Sequence, residues 1–384
     1  MVSPCRGSVA AILNSQFSIL NYNSQFSILN SQLNKMKQAI LSTLMAVAMT
    51  TLGVAAQDYR LVFCDDFDGT ALDSRVWNIE VNGDGGGNAE LQYYRAENVS
   101  VQDGCLLLTA KKENYLGKNF TSGRINSLGK AAFKHGRVEA SICIPQTANG
   151  LWPAFWMMGN DMATGTGWPN CGEIDIMEMG NSYGIQHGTQ DRFFNGACHW
   201  GPWANGGHPN YARSSTNDYN MQDGKFHLFT LIWDEQKVAM YLDRDQYPEV
   251  EPYYVMNIDD ISQQNSPGRY FHKQFFILFN LAIGGHFTGI YNTDGITALA
   301  NEERALLVDY VRVYQELGSE DYTMPQGFVP CDVTHDGKVD ITDVNTVINV
   351  MLGKETSGST DINGDYKTDV SDVNIIINKM IGKD

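Results

Sequence analysis

The chain has 384 residues, of which 43% are hydrophobic and 11% aromatic, so it is long enough for two or three folded units with a large apolar core. It carries 44 Asp and Glu residues against 27 Lys and Arg residues, a formal net charge of −17 at pH 7. Such a surface repels nucleic acids, polyanionic glycans and anionic lipids but does not penalise a neutral polysaccharide. We therefore expect no nucleic-acid partner.

The first 35 residues are expected to lie outside the folded protein. Asn14–Asn21 recurs as Asn23–Asn30 with a period of nine residues, in a mixture of polar and apolar side chains that is almost free of charge. Because a more ordinary start appears at Met36, we interpret residues 1–35 as a spurious or low-complexity extension.

Residues 36–56 have the features of a signal peptide. Lys35 and Lys37 give a positive start, an apolar stretch follows over residues 39–54, and Val54-Ala-Ala56 supplies the small residues of a cleavage site. An uncleaved anchor helix is the alternative, because the apolar stretch approaches the length that spans a bilayer. We expect a secreted, periplasmic or cell-surface protein without a membrane span after cleavage.

From residue 57 to 317 the sequence predicts an all-β unit. Short runs rich in Val, Ile, Phe, Tyr and Thr, such as Phe226–Trp233 and Phe275–Leu281, alternate with clusters of Gly, Asn and Asp. This spacing is typical of a β-sandwich, and no stretch with helical periodicity dominates the segment.

Three carboxylates lie within six residues of one apolar, strand-like run: Glu173, Asp175 and Glu178. Side chains two residues apart on a strand share a face, so Glu173 and Asp175 point together. Glu178 lies three residues beyond Asp175 and would face the opposite side of a regular strand. One extra residue, bulged out at Ile176 or Met177, would return Glu178 to the face of the other two acids. We predict that bulge.

This arrangement suits the hydrolysis of a glycosidic bond. With the bulge, the two glutamates are about four strand steps apart, roughly 13 Å, a gap that two long side chains can close. Hydrolysis with retention needs two carboxyls about 5–5.5 Å apart, one as nucleophile and one as acid and then base. Asp175 between them would hydrogen-bond the nucleophile and raise a neighbouring pKa. A hard-metal site or a solvated acidic face is the alternative.

Tryptophans surround the acidic run. Four of the seven tryptophans in the chain fall within about fifty residues around it: Trp152, Trp156, Trp168 and Trp200. Sugar rings stack on aromatic faces, so this clustering favours a carbohydrate ligand over a metal ion.

These motifs resemble glycoside hydrolase family 16, specifically its bacterial laminarinase-type endo-β-1,3-glucanases. The resemblance rests on Glu173–Glu178, Trp168-Pro169 and Leu151–Trp156, and covers roughly residues 58–316. Further matching segments follow in the expected order: Asn88–Tyr94, Ser122–Ile125, Phe133–Glu139, Phe279–Gly285 and Val308–Tyr314. The resemblance implies a jelly-roll β-sandwich of the concanavalin type, retaining hydrolysis and no catalytic cofactor.

The resemblance also implies roles for individual residues. Glu173 matches the nucleophile, Glu178 the acid and base, and Asp175 the assisting carboxylate. The matching substrate-binding positions are Asn88, Arg124, Trp152, Trp156, Trp168 and His199.

Three of these positions have a purely structural alternative. Arg124 could be a surface strand residue, His199 a hydrogen-bonded core histidine, and Trp156 part of the sandwich core. The resemblance further implies a structural calcium ion in the sandwich, for which Asp66 and Asp309 are the matching positions.

Six cysteines follow the predicted signal peptide, and an oxidising compartment would allow them to pair in 15 ways. They are Cys64, Cys105, Cys143, Cys171, Cys198 and Cys331. A bridge between Cys171 and Cys198 beside the acidic run is one hypothesis, and buried free thiols are the alternative.

Residues 318–327 are predicted to be a linker, and residues 328–384 a small second unit. Two 12-residue loops, Asp332–Asp343 and Asp361–Asp372, begin 29 residues apart. Each has oxygen ligands at positions 1, 3, 5, 9 and 12 and a backbone carbonyl at position 7, which is the spacing of a calcium loop. The predicted ligands are Asp332, Thr334, Asp336, Lys338, Asp340, Asp343, Asp361, Asn363, Asp365, Lys367, Asp369 and Asp372.

The two loop-helix repeats resemble a dockerin. Val344–Lys354 and Val373–Lys383 are helical patterns with seven of eleven positions identical. The resemblance implies structural Ca²⁺ and a cohesin-like protein partner. Two positions depart from the pattern: Thr334 replaces Asp or Asn at position 3, and Tyr366 replaces the usual Gly at position 6. A calcium-stabilised cap that docks on its own catalytic domain is the alternative.

The sequence as a whole predicts a retaining endo-glycosidase acting on internal β-1,3 bonds of laminarin-like or mixed-linkage β-glucans. A galactan hydrolase of the same family, of the agar or carrageenan type, is one alternative. A non-catalytic glycan-binding sandwich is another, since fold alone does not give function. The intact pair Glu173 and Glu178 argues against the latter because a lectin does not need both carboxylates.

Overall fold

The computed structural model describes residues 59–354 and 358–383, and Gln57–Asp384 forms one compact unit. The predicted extension over residues 1–35 and the predicted signal peptide over residues 36–56 lie outside the described residues. In the described part, no helix is both long and apolar enough to cross a bilayer.

Strands dominate the sandwich and helices the C-terminal segment. The strands are β1 Tyr59–Asp65, β2 Asn78–Ile79, β3 Gln92–Tyr94, β4 Val99–Gln102, β5 Cys105–Ala110, β6 Phe120–Ser122, β7 Arg124–Asn126, β8 Ala132–Phe133, β9 Gly136–Cys143, β10 Leu151–Gly159, β11 Glu173–Met179, β12 Phe193–His199, β13 Asn210–Thr216, β14 His227–Trp233, β15 Lys237–Leu242, β16 Tyr254–Asn257, β17 Phe275–Ile283, β18 Arg304–Glu316 and β19 Tyr322–Thr323. The α-helices are α1 Ser182–His187, α2 Ile341–Met351 and α3 Val370–Met380. Short 3₁₀ turns span Ala96–Asn98, Asn160–Thr164, Pro267–Arg269, Thr293–Gly295, Thr297–Leu299 and Gly358–Thr360.

Two antiparallel sheets form the sandwich. The first sheet runs β16-β15-β14-β9-β18-β5-β4, with β1 paired to β18. The second sheet runs β13-β12-β11-β10-β17-β7-β2, with β8 paired to β17 and to β19. Strands β3 and β6 form a small parallel pair. The predicted all-β sandwich with a small helical C-terminal module is confirmed.

A single apolar core fills the space between the two sheets. It joins residues of the first sheet, such as Val138 and Phe229, to residues of the second, such as Phe155 and Phe279. Strand β17 is buried at all nine positions, because it lies mid-sheet with neighbours on both edges. This buried strand and the neighbouring β10 form the centre of the second sheet. Strand β11 pairs with β10, and β12 pairs with β11.

The C-terminal module is built on the two predicted loops and helices. Asp340 and Asp369 are the N-caps of α2 and α3, and Asp343 and Asp372 complete a capping box in each helix. Positions 9 and 12 of each loop therefore start a helix, whatever else they bind.

The predicted linker 318–327 is packed against the sandwich. Tyr322–Thr323 forms β19, which pairs with β8 at the margin of the second sheet. Gln315 accepts a hydrogen bond from the Asp321 amide, and Phe328 stacks on Phe63 with ring centroids 5.7 Å apart. The segment thus follows the sandwich surface.

Cys171 and Cys198 are both free thiols. The hypothesis of a bridge between Cys171 and Cys198 is therefore wrong. Cys198 belongs to the core between the sheets, while Cys171 lies in a separate apolar cluster with Met158 and Phe276, so the two side chains are buried in different places.

Phe279→Ala is expected to lower the free energy of unfolding by about 3–5 kcal/mol, because the truncation leaves a cavity in the centre of the core. Phe279 is fully buried and stacks on Phe155 with ring centroids 4.8 Å apart. Urea unfolding followed by tryptophan fluorescence measures the change. Val81→Ala, at a residue 58% exposed, is the control and should change stability by no more than about 0.5 kcal/mol. Equal effects of the two substitutions would contradict this description of the core.

Candidate active site

A β-bulge in β11 places the three acids. Asp175 lies opposite Ala197 of β12, and Glu178 lies opposite Asn195, so Gly196 alone faces the two residues between them. On the other edge, Trp156 pairs with Asp175 while Phe155 pairs with Met177. Ile176 is therefore the extra residue on this edge, and the predicted bulge is confirmed.

The bulge sorts the side chains of β11 between two environments. Ile174, Ile176, Met177 and Met179 are fully buried in the core between the sheets. Two consecutive residues, Ile176 and Met177, both reach the core, which is what a bulge permits and a regular strand does not. The three acids consequently share the outer face of the second sheet.

Glu173, Asp175 and His199 converge on that face. Each offers one oxygen or nitrogen atom, and these atoms all lie within 4.8 Å of one another. His199 Nε2 is 3.5 Å from Asp175 Oδ2, and His199 Nδ1 is 2.8 Å from Nε2 of His208. Burial and then His208 lower the pKa of His199 to about 4, so this imidazole is neutral at pH 7.

Asp175 is the most enclosed of the acids, with 5% of its surface exposed. Burial raises the pKa of Asp175 well above its usual value, and the charges of Glu173 and Glu178 raise it further. A protonated Asp175 can donate a hydrogen bond to Glu173, which is the bond that a nucleophilic carboxylate needs beside it.

Glu178 is held by an indole. The Nε1–H of Trp152 donates to Oε1 of Glu178 at 2.9 Å, and the Trp152 ring stacks on Phe287 with centroids 4.7 Å apart. Burial raises the pKa of Glu178 to about 8, and the charge of Glu173 adds to the rise, while the indole hydrogen bond opposes it. Glu178 is therefore protonated at neutral pH.

Glu173 has a different environment. Burial raises its pKa to about 7, but a hydrogen bond from Trp168, the positive charge of Arg124 and a hydrogen bond from Asp175 all lower it. The charge of Arg124 lowers the pKa of Glu173 but is not among the main influences on the pKa of Glu178. The pKa values of the two glutamates therefore differ, and Glu173 is the more readily ionised. This is the pattern of an acid paired with a nucleophile.

Arg124 and Trp156 lie together beside the acids. The Arg124 guanidinium is 4.9 Å from the Trp156 ring centroid, and its Nε is 2.9 Å from a Glu80 oxygen. Trp156 Nε1–H donates to Asn280 Oδ1 at 2.7 Å. Trp156 is the only partly exposed residue of β10, so the alternative that it belongs to the core is wrong. Arg124 is likewise a paired residue of this face.

Trp168 forms the exposed side of the site. It is 43% exposed, and its ring lies 4.6 Å from His208 and 5.8 Å from Trp203 by centroid. Trp200, which belongs to the sequence cluster of tryptophans, is instead buried, and its Nε1–H donates to the Asn265 carbonyl. Trp203, 57% exposed, takes its place as an open aromatic surface.

Asn88 lies in the glycine-rich loop before β3. Its carbonyl accepts a hydrogen bond from the amide of His286, three residues after the end of β17, where Ala282 pairs with Trp152. The loop therefore borders the end of the face that carries Trp152 and Glu178.

Sequence reasoning missed four residues of this site: Glu80, Asn280, His208 and Trp203. Asn280 is a polar residue inside the apolar run Phe275–Ile283, and this exception was a usable signal. Trp203 and His208 follow His199 closely in a loop rich in Gly and Asn, which was a weaker signal. No sequence signal marks Glu80, since its role depends on pairing with Arg124 across the sheet.

The second C-terminal loop has the donor set of a calcium site. Burial raises the pKa of both Asp361 and Asp372 to about 6, and the charge of Asp361 adds to the rise at Asp372. Asp361 accepts hydrogen bonds from the amides of Gly364, Asp365 and Tyr366. Two buried carboxylates that repel one another match a divalent cation with oxygen ligands.

The first loop repeats this geometry. Asp332 accepts from the amides of Asp336 and Gly337, and the fully buried Asp343 accepts from the amide and the hydroxyl of Thr334. The backbone hydrogen bonds hold positions 1 and 12 of both loops in the same way. The calcium ligands stay predictions.

The two sandwich positions fit a cation less well. Burial and then the charge of Asp66 raise the pKa of Asp309. However, Arg312 already places positive charge 3.7 Å from Asp66, and Ser141 lies 3.4 Å from Asp309. A calcium ion here would compete with Arg312, and this site stays a prediction.

Comparison with known proteins agrees with this geometry. The structure of a Bacteroides ovatus mixed-linkage glucan PUL GH16 protein in complex with a G4G4G3G product aligns with a TM-score of 0.58 and 39% identity, covering 65% of this chain and 99% of that one. The Beta-glucanase of Rhodothermus marinus is 32% identical over 289 residues, covering 72% of this chain and 93% of that protein. The chain belongs to glycoside hydrolase family 16.

Other matches cover the C-terminal module and parts of the sandwich. The family model described as Dockerin type I domain matches residues 330–381, and the one described as Beta-glucan synthesis-associated protein SKN1/KRE6/Sbg1 matches residues 14–172. The Glucan endo-1,3-beta-glucosidase A1 of Niallia circulans is 34% identical over 285 residues, which are 67% of this family 16 chain but 38% of that protein. The chain thus spans well under half of that relative.

The stability of Glu178→Gln relative to the wild type should increase as pH rises from about 5 to 8. The folded-state pKa of Glu178 is about 8 against 4.5 for an ordinary glutamate, so the unfolded state loses this proton first. The stability that the protonated carboxyl contributes below pH 4.5 is lost as pH rises through 8, and a neutral amide does not lose it. Urea unfolding of both proteins at several pH values measures the difference.

The control for this experiment is Glu249→Gln, at an exposed glutamate. Its difference from the wild type should stay constant over the same pH range. A constant difference for Glu178→Gln as well would mean that Glu178 is ionised in the folded protein at neutral pH, against this description of the site.

Proposed function

We propose that this family 16 chain is a secreted retaining endo-glycosidase that hydrolyses internal β-1,3-glucosidic bonds of a neutral β-glucan, laminarin-like or of mixed linkage. The observation that carries the proposal is the position of Glu173 and Glu178 on one face of β11, where Arg124 lowers the pKa of Glu173 and the charge of Glu173 raises that of Glu178. No catalytic cofactor is needed for this reaction.

Each acid has one role in the proposed reaction. Glu178 is protonated at neutral pH and donates its proton to the leaving oxygen, while ionised Glu173 attacks the anomeric carbon. Asp175 hydrogen-bonds Glu173 and helps to carry its charge. In the second step, Glu178 accepts a proton from water, and this water releases the sugar from Glu173.

Aromatic and polar groups around the acids suit a glucan chain. Trp168 and Trp203 offer exposed rings on which sugars can stack, and Trp156 lies partly open beside Arg124. The net charge of −17 disfavours a sulfated chain. The relatives named as a beta-glucanase and a glucan endo-1,3-beta-glucosidase support a β-glucan as the substrate class.

Purified protein beginning at Gln57 should release a series of oligosaccharides from laminarin or lichenan and none from agarose, because an endo-acting β-glucanase cuts within the chain. Sizing the products over time distinguishes this from release of a single small sugar by an exo-acting enzyme. Activity on agarose alone would replace the proposal with a galactan hydrolase. Binding without cleavage would indicate a glycan-binding sandwich.

Two variants separate the roles of the glutamates. Glu173→Gln should lose activity on all substrates, since no covalent intermediate forms. Glu178→Gln should lose about 10²–10⁴-fold on laminarin but much less in the first step on an aryl glycoside, whose leaving group needs no proton. Added azide should restore turnover of the aryl glycoside by Glu178→Gln and yield a β-glycosyl azide, because azide attacks the glycosyl-enzyme without a general base. An α-glycosyl azide from Glu178→Gln would reverse the assignment, because azide would then be replacing a missing nucleophile.

We also propose that the C-terminal module binds two Ca²⁺ ions and through them a cohesin-like protein. The match to the Dockerin type I domain over residues 330–381 supports both parts. Ile341, Leu352 and Ile381 leave an apolar surface of the module exposed, which suits a protein partner. Export by the predicted signal peptide would bring the module into a calcium-rich exterior.

Calcium should protect the module from proteolysis. Removal of the ion with EGTA leaves the buried carboxylates of each loop without a countercharge, so the loops should open and be cut sooner. Asp343→Asn and Asp372→Asn should each lower the apparent calcium affinity in a titration followed by proteolysis. Unchanged resistance in EGTA would contradict calcium binding by the module.

A further inference from the structure

The two calcium-loop repeats differ at positions 4 and 6. The first loop has His335 at position 4 and Gly337 at position 6, whereas the second has Gly364 and Tyr366, so glycine and the larger residue are exchanged. All four residues are left-handed, with φ of 55°, 86°, 72° and 67° in chain order. Since both loops need the same backbone at both positions, the backbone does not explain the exchange.

Gly364 allows the sandwich to approach the second loop. Arg137 of β9 donates a hydrogen bond from Nη1 to the Gly364 carbonyl. A Cβ at position 364 would clash with the Arg137 guanidinium and would lie 3.0 Å from the Tyr314 ring. A larger residue here, such as the histidine of the first loop, would therefore separate the loop from the sandwich.

Tyr366 contacts the same arginine. The Arg137 guanidinium lies 4.1 Å from the Tyr314 ring centroid and 4.8 Å from the Tyr366 ring centroid. Arg137 Nε is 3.2 Å from a Glu139 oxygen, and the Tyr366 hydroxyl is 3.5 Å from the same oxygen. Arg137 and Glu139 are 5% and 0% exposed, so the module encloses an ion pair of the sandwich. Cation–π contacts are strongest when desolvated in this way.

Backbone and apolar contacts extend this junction. The Leu61 amide in β1 donates to the Ile362 carbonyl at 2.8 Å, and the Tyr314 hydroxyl donates to the Asp361 carbonyl at 3.2 Å. Leu61 and Tyr314 also belong to the apolar cluster that contains Ile362 and Val373 of the module. The sandwich thus supplies part of the core of the module.

We propose that Arg137, Glu139 and Tyr314 form a receptor on the sandwich for the chain's own second calcium loop, and that Tyr366 anchors the loop there. Sandwich and module then unfold as one unit. An ion that binds only the folded loop stabilises the sandwich as well, by linkage. This last consequence rests on the proposed calcium binding, whereas the docking does not.

Tryptophan fluorescence tests the proposal because all seven tryptophans lie between Trp77 and Trp233, within the sandwich. Tyr366→Gly replaces a left-handed tyrosine by the residue that this backbone prefers. If Tyr366 acted only within its loop, this change would leave the midpoint of thermal unfolding unchanged or raise it. The docking predicts a fall of about 2–6 °C in protein beginning at Gln57, in EGTA as well as in calcium.

Two variants serve as controls for the direction of this change in the unfolding midpoint. His335→Gly relieves the same backbone conformation at an exposed residue of the first loop and should not lower the midpoint. Tyr366→Phe keeps the ring over Arg137 and removes only the hydroxyl, so its fall should be smaller than that of Tyr366→Gly. A midpoint that Tyr366→Gly leaves unchanged or raises in both buffers overturns the docking.

The effect of calcium on the unfolding midpoint is a separate test. Calcium should raise the tryptophan midpoint of the wild type above its value in EGTA, and Asp372→Asn should reduce this rise. A rise that persists undiminished in Asp372→Asn overturns the coupling and assigns the effect to an ion elsewhere. If Tyr366→Gly lowers the midpoint but calcium changes no variant, the docking stands and the proposed calcium binding fails.

Discussion

The bulge in β11 is the constraint on which the site depends. Ile176 and Met177 are consecutive, and both reach the core between the sheets. That single interruption turns Glu178 to the outer face, where Glu173 and Asp175 already point. Without it, Glu178 would lie in the apolar core at a cost that a protein cannot tolerate for an unpaired carboxylate. The packing of the core therefore enforces the geometry of the acids.

The same sheet then differentiates the acids that it brings together. Burial raises the pKa of all three, and their mutual charge adds to the effect at Asp175 and Glu178. Arg124 and the indole of Trp168 favour the charged form of Glu173. Neighbouring strands thus present different partners to the two glutamates of one seven-residue strand, and those of Glu173 favour its charged form.

Some of this could be predicted from the sequence, and the reason is local. The spacing of Glu173, Asp175 and Glu178 among apolar residues predicts the bulge. The side chains of a strand alternate with period two, and the position of Glu178 breaks this alternation. The repeated calcium loops are equally local. Two side-chain pairs were not predictable, Arg124 with Glu80 and His199 with His208, because only the folded arrangement brings their side chains together. The burial of Trp200 and the free thiols likewise depended on tertiary packing.

The unusual Tyr366 shows a further limit of sequence reasoning. As a departure from the glycine of the dockerin pattern it indicated only a weaker calcium loop. Its meaning lies in Arg137, more than two hundred residues earlier in the chain, through which the module contacts its own sandwich while Ile341, Leu352 and Ile381 stay exposed for a partner. The catalytic and C-terminal units are then parts of one folded body.

The central claim is that the bulge presents Glu173 as a nucleophile beside a protonated Glu178. It is tested most directly by trapping the covalent intermediate with a β-glucan oligosaccharide that carries 2-fluoro and good-leaving-group substituents, followed by peptide mass spectrometry. We predict a single adduct, equal in mass to the fluorinated glycosyl group, on Glu173. An adduct on Glu178 or Asp175, or turnover with no adduct on any carboxylate of β11, would contradict the account.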